Sequence, residues 1–246
     1  MTEQPSTTTS NDQLAQASAS APTRRTSTER LPVAERAAIA LRTALFAGVL
    51  QPGEQVKQYV WAEKLNVSRA ALREGLKVLA GSRLLEHDRN RGYRVTNLSL
   101  SEMAELYWLR IAVEREVALG CKKPSVSEAE VLRDLHETRL SAYSNGNPHD
   151  IIAADRDFFF AVYDLSSRTL LLREAKRLWD LAAIYRQSAV EVALSARPER
   201  ERLAKRREQQ FEAVLEGDRF ALAEFIVSDR RAMISYFNVE EFLPGG

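Results

Sequence analysis

Residues 58–77 hold two helical stretches on either side of Asn66-Val67-Ser68, and this constrains the fold more than any other feature of the chain. Tyr59–Leu65 is long enough for a short helix. Asn66 tolerates the left-handed conformation that a helix C-terminus favours, and Ser68 can cap the helix that follows. In that second helix Arg69, Arg73 and Lys77 recur every four residues and form one stripe, while Leu72, Leu76 and Leu79 form an apolar stripe beside it. One side packs and the neighbouring side offers cations, which is what a helix-turn-helix needs to lay its second helix in a DNA major groove. Taken alone, the segment is also compatible with a solvated basic helix face.

The next stretch weakens that alternative. Leu84-Leu85-Glu86-His87-Asp88 and Tyr93-Arg94-Val95 are short extended pieces flanking Arg89-Asn90-Arg91-Gly92, in which Asn and Gly both tolerate positive φ. A hairpin after such a helix is a wing, and Arg89, Arg91 and Arg94 would bring it to phosphate or the minor groove. Charge is distributed accordingly. Residues 24–97 carry 14 Lys and Arg against 7 Asp and Glu, whereas residues 98–246 carry 21 against 25. The charge that attracts a polyanion sits with the helix-turn-helix, and the acidic remainder argues against a second nucleic-acid surface.

Over residues 31–97 the chain resembles the GntR family of bacterial transcription regulators. The resemblance rests on the first helix (Ala34–Ala47), Pro52-Gly53-Glu54, Val67-Ser68-Arg69, Leu72-Arg73-Glu74, and the wing ending in Gly92-Tyr93-Arg94-Val95. It implies that Ser68, Arg69 and Arg73 touch DNA, together with the wing tip Asn90, Arg91 and Gly92. Asn90 stands where the family usually has Gly, and Tyr59 where some members have a cation.

Residues 1–27 are rich in Ser, Thr, Ala, Gln and Pro, with almost no large apolar side chains, and are expected to be disordered. Beyond Leu98 the pattern becomes amphipathic helices without strand signals: Leu100 to about Cys121, Glu128–Ser144 capped by Ser127, Asp150–Asp164, Thr169–Ser195, Glu201–Glu216 and Phe220–Phe237. The expected fold is mainly α. An N-terminal winged helix-turn-helix of three helices and a small β wing (28–97; helix-turn-helix 58–77, wing 84–96) precedes an all-α antiparallel bundle of six or seven helices (98–240). The single cysteine, Cys121, allows no internal disulfide and reads as a packed thiol. No run approaches the roughly 20 apolar residues of a membrane span, and the N-terminus lacks a basic-then-apolar signal pattern, so a cytoplasmic location is expected.

The bundle resembles the FCD effector and dimerisation domain of the FadR-like branch of the family. Matching segments are Leu106-Tyr107-Trp108-Leu109-Arg110 with Glu114, Asp155-Arg156-Asp157-Phe158, the Ser166-Ser167-Arg168 turn, and Ala213-Val214 with Gly217-Asp218. The resemblance implies a homodimer with a small-molecule effector. Many such domains hold a divalent metal through one Asp and three His; by spacing, those positions here are Asp155, Phe159, Arg207 and Asp229. Phe cannot ligate and a guanidinium repels a cation, so no metal or other cofactor is expected. Arg207 would place a fixed cation where the metal's charge would be. It could pair with Asp155 or Asp229, clamp an organic acid together with Arg110, or lie on a solvated face with Lys205 and Arg206. The candidate effector-binding residues are therefore Arg110, Asp155, Phe159, Arg207 and Asp229. Phe158, Phe160, Trp179, Tyr185 and Phe211 could be cavity wall or plain core.

An enzyme finds little support: there is no Gly-rich nucleotide loop, no metal-ligand cluster and no Gly-x-Ser-x-Gly elbow. A structural, sequence-unselective DNA binder would not need so large a second domain. The reading is a DNA-binding regulator, a repressor of double-stranded operator DNA released by a small acidic metabolite.

Overall fold

A computed structural model describes residues 31–186, 190–191 and 197–236. The expected disordered tail lies outside these residues, as does most of the expected helical stretch 187–195. The elements are α1 (Val33–Phe46), α2 (Gln58–Lys64), α3 (Arg69–Gly81), β1 (Leu85–Asp88), β2 (Gly92–Val95), α4 (Leu100–Leu119), α5 (Val126–Asn145), α6 (Pro148–Asp164), α7 (Thr169–Ala183), α8 (Arg197–Glu216) and α9 (Arg219–Tyr236).

The helix-turn-helix forms as its residues dictate. Asn66 takes φ 49°, and Ser68 caps α3 by accepting from the Ala71 amide at 3.1 Å. Leu72, Leu76 and Leu79 are fully buried against α1. Gly75 lies on the same face for a reason the apolar periodicity did not reveal. A Cβ there would stand 3.0 Å from both the Ala34 carbonyl oxygen and the Ala38 amide nitrogen, so α1 and α3 meet backbone to backbone. Gly75→Leu is expected to lower stability by about 1–3 kcal/mol, outweighing the helix-propensity gain of under about 1 kcal/mol. Thermal unfolding checks this; a raised midpoint would mean that α1 yields.

In the wing, β1 and β2 pair antiparallel, with Leu85 opposite Val95 and Asp88 opposite Gly92. Its turn differs from expectation. Asn90 stays out of the left-handed region; Gly92 takes it, at φ 77°. The Asp88 carboxylate organises the tip by accepting from the amides of Asn90 (2.8 Å) and Arg91 (3.2 Å). Residues 53–56 add backbone bonds on the free edge of β2, Gly53 to the Val95 carbonyl and Val56 to the Tyr93 carbonyl, a pairing the hairpin pattern did not suggest.

The helical part follows the sequence with local corrections. Ser99 and Ser125 begin α4 and α5 as capping boxes with Glu102 and Glu128, so Ser125 rather than Ser127 is the second cap. The expected continuous helix Thr169–Ser195 is broken: α7 ends at Ala183, and Ile184–Tyr185 form a turn before helical backbone resumes at Arg186. α4 packs on α7 and α9, and α5 on α6 and α8. The described residues from Val33 onward form one compact unit. Buried side chains of α1–β2 join Met103, Leu106 and Tyr107 of α4 and Leu178 and Leu181 of α7 in one apolar cluster. The core is therefore continuous across residues 96–101. No described helix is long and apolar enough to cross a membrane.

Candidate functional site

One face of α3 is left to solvent. Ser68, Arg69, Arg73 and Lys77 are exposed. Lys77 is held by Glu74 at 2.8 Å, whereas Arg69 and Arg73 form no ion pair among the described residues. At the wing tip Arg89, Asn90 and Arg91 are exposed and Gly92 is half-buried. Arg94 is committed to its own fold, donating to the Gly53 carbonyl at 2.7 Å. Two flexible guanidinium groups on a rigid helix and two on a turn fit groove and phosphate contacts respectively.

A second candidate site lies inside the bundle. A cavity of about 60 Å³ is lined by Tyr143, Asp155, Arg186, Arg207, Asp229 and Arg230, with Val190, Leu203 and Met233 among its apolar walls. Asp155, Arg207 and Asp229, named from spacing, do come together here. Phe159 and Arg110 do not line it. Phe159 is buried, its ring 4.9 Å from the Arg230 guanidinium and 5.0 Å from that of Arg139. Arg110 is fully buried nearby, donating to Glu114 at 2.6 Å and stacked 4.7 Å over Trp179, so it cannot act as a second clamp from where it stands. The other aromatic candidates are core: Phe158, Trp179 and Phe211 join one buried cluster with Phe160 packed against it, and none lines the cavity; Phe158 and Trp179 lie under the Arg139 and Arg186 guanidinium groups.

Arg207 is 7 % exposed, which excludes the solvated-face reading. It pairs with Asp229 and donates to the Tyr143 hydroxyl at 3.2 Å. Asp229 also accepts from Arg206 at 2.7 Å. Asp155 accepts three hydrogen bonds: Arg139 donates at 2.7 Å, Arg186 at 2.8 Å and the Tyr143 hydroxyl at 3.1 Å. Burial alone would raise the Asp155 carboxyl, but the charges of Arg139, Arg207 and Arg186 outweigh it and hold the group below the usual carboxylate range. Asp229 is depressed likewise, burial being overcome chiefly by Arg207.

Next to the cavity, Glu114 receives Arg110, Arg230 (2.6 Å) and the Tyr163 hydroxyl, and is held at about 2 because the two arginines outweigh its burial. Arg110, Arg139, Arg186, Arg207 and Arg230 are all buried, against the carboxylates Glu114, Asp155 and Asp229 and, paired with the half-buried Arg156, Asp180. The balance is positive, and Arg186 Nη1, Arg139 Nη1 and Gln210 Nε2 are buried donors with no partner among the described residues. Of these, Arg186 belongs to the cavity lining, and an unmet guanidinium N–H there is suited to donating to an oxygen of an anion. Arg139, Arg186, Arg230 and Tyr143 were missed from sequence; the only local sign was Arg139 four residues before Tyr143 on one helix face.

Residues 105–228 match the family model described as FCD domain. The chain belongs to the GntR family of transcription regulators, in the branch that carries an FCD domain. Regulation of transcription, not catalysis, is what this family does. A GntR-type relative, "Uncharacterized HTH-type transcriptional regulator YdhC" of Bacillus subtilis (strain 168), is 27 % identical over 143 residues, 57 % of this chain and 64 % of that protein. The "Glc operon transcriptional activator" of Escherichia coli (strain K12) is 28 % identical over 173 residues, 62 % of this chain and 68 % of that protein. The match thus spans under two thirds of the first relative's length and just over two thirds of the second's. The "Gluconate operon transcriptional repressor" of Bacillus subtilis (strain 168) is 32 % identical over 79 residues, 32 % of each chain. Among solved structures, "E. coli McbR/YncC" shares the fold with a TM-score of 0.68 at 22 % identity, over 85 % of this chain and all of that one.

For a GntR regulator of this branch the metal positions can be tested against the side chains present. Asp155 is occupied by three donors, Phe159 offers no ligand, and Arg207 and Asp229 neutralise each other. These residues do not make a metal-ligand set. His136 is a core residue, stacked on Phe211 at 4.2 Å with Nε2 3.0 Å from Glu208. Cys121 is buried and its thiol pushed up to about 12 by burial, in keeping with a packed group.

Proposed function

We propose that this regulator is a homodimeric repressor that reads operator DNA through Ser68, Arg69 and Arg73 of α3 and Asn90, Arg91 and Gly92 of the wing. A small organic acid entering the arginine-lined cavity releases it, without a metal. The observation that carries the effector reading is the surplus of buried guanidinium groups over carboxylates around a cavity, with Arg186 Nη1 unmet. A carboxylate or phosphate would satisfy that donor and offset the surplus charge. Two copies read two half-sites related by a dyad, and effector binding alters their spacing through residues 96–101. Relatives carry both signs of regulation, so repression is the part a reporter assay with the chain's own promoter decides.

The test is operator binding by fluorescence anisotropy against a panel of small carboxylates and phosphates. At least one such anion is expected to weaken binding. Arg207→Ala should reduce that response by about 1.5–3 kcal/mol in effector affinity while leaving effector-free operator affinity nearly unchanged. An undiminished response in Arg207→Ala, or release by neutral or cationic compounds alone, overturns the anion site. Protein purified without chelator should contain no stoichiometric Zn, Ni or Mn by elemental analysis; one metal per chain overturns the metal-free reading.

A further inference from the structure

We propose that Tyr185 is the positioning residue that couples the arginine-lined cavity to the C-terminal end of the DNA-binding helix α3. The proposal rests on the reading of that cavity as the effector site.

The turn at Ile184–Tyr185 separates α7 from the helical backbone that resumes at Arg186, so two consecutive residues serve two different places. Arg186 faces the cavity, donating from Nη2 to Asp155 at 2.8 Å and leaving Nη1 unmet. Tyr185 faces the connection between the DNA-binding part and the bundle. Its hydroxyl donates to the Thr96 carbonyl at 2.8 Å and accepts from the Leu98 amide at 2.8 Å. Both hydroxyl functions are used, and burial pushes the group up to about 12.

Thr96 passes the constraint on. It is buried, its hydroxyl donates to the Arg83 carbonyl at 2.7 Å, and its amide donates to the Leu84 carbonyl at 3.2 Å. Arg83 directly follows Ser82, the C-cap of α3, and is held in the left-handed region at φ 60°. A route of one peptide bond and two hydrogen bonds therefore leads from the cavity wall to Arg83, the residue after the C-cap of α3. On the other side, Leu98 adjoins Ser99, the N-cap of α4, so the same hydroxyl also fixes where α4 begins.

The geometry gives occupancy a way to act. An anion that takes Arg186 Nη1 competes with Asp155 for the guanidinium and shifts the backbone one residue from Tyr185. Hydrogen bonds weaken steeply as their angle is lost, and a displaced hydroxyl leaves the Thr96 carbonyl and the Leu98 amide unpaired together.

The experiment is amide hydrogen exchange on the full chain, read at Leu98, for the parent, Tyr185→Phe, Arg186→Lys and the double variant. Each single change is expected to speed Leu98 exchange by about tenfold. The double variant is expected to exchange no faster than Tyr185→Phe alone. Asp155→Asn, which removes the charge holding Arg186, reads the same route if Arg186→Lys unfolds. Parent-like Leu98 exchange in the cavity variants overturns the proposal, because Tyr185 would then be a local strut. So does a double variant showing the product of the two single effects. The readout involves no DNA or effector, so failure of the anion screen and failure of this coupling are separate results.

Discussion

Alanine at both Arg69 and Arg73 is expected to weaken specific operator binding by about 2–6 kcal/mol, each contact contributing about 1–3 kcal/mol. Both side chains stand exposed on the helix whose neighbouring face carries the fully buried Leu72, Leu76 and Leu79, so removing them alters the surface and not the core. Arg91→Ala, at the wing tip, should cost less and instead lower the slope of log affinity against log salt by about one, because a phosphate contact acts through counterion release. Anisotropy titrations across a salt series, with thermal unfolding as the control for fold, separate these outcomes. Unchanged affinity of the double variant would sink the assignment of α3 as the DNA-reading helix.

The largest stability loss is expected at Glu114. Its carboxylate is fully buried and serves Arg110, Arg230 and the Tyr163 hydroxyl. Glu114→Ala leaves two buried cations without their shared anion, which costs about 3–5 kcal/mol. Arg230 also lines the cavity, so the change should impair the effector response as well. The pH dependence follows from the direction of the shift. Glu114 is lowered from an ordinary 4.5 to about 2 in the folded chain, so its stabilisation is fully present above pH 4.5 and is lost as pH falls toward 2. Glu114→Gln keeps the shape without the charge, and the stability gap between parent and variant should therefore narrow across that window. Denaturant unfolding at pH 7, 4 and 3 measures it. A gap that stays constant, or an alanine variant as stable as the parent, contradicts the buried network.

Much of the DNA-binding half was legible because its determinants are local. Asn66 and Ser68 end one helix and cap the next through atoms within three residues, and Arg69, Arg73 and Lys77 share a stripe by helix period alone. Ser99-x-x-Glu102 and Ser125-x-x-Glu128 were equally readable as capping boxes, although Ser127 was preferred for the second helix. Gly75 escaped because nothing in an apolar pattern says which helix will lie against it, or how closely.

The cavity was legible in part. The resemblance to the family, carried across by spacing, singled out Asp155, Arg207 and Asp229, and the absence of imidazole at the positions where it implies ligands needs no coordinates. Which carboxylate Arg207 would choose was open between Asp155 and Asp229, and only packing of α8 against α9 selects Asp229. Arg110 looked like a clamp until its neighbour one helical turn along, Glu114, proved to hold it in the core.

What the sequence determined by itself is therefore what short-range chemistry decides: helix ends, the amphipathic faces, the wing, and the placement of positive charge with the helix-turn-helix. The tertiary structure decided the partners of buried charges and the break after α7. Glu114 meets Arg230 across 116 residues, Arg139 meets Gln210 across 71, and Tyr185 meets Thr96 across 89. A guanidinium can satisfy its fork against any carboxylate within reach, so its choice is set by which helices pack together. That packing is governed by apolar burial, which is proportional to area and indifferent to direction. Local pattern supplies the helices and their faces, and only the assembled core fixes which arginines surround the cavity and which backbone groups the Tyr185 hydroxyl meets.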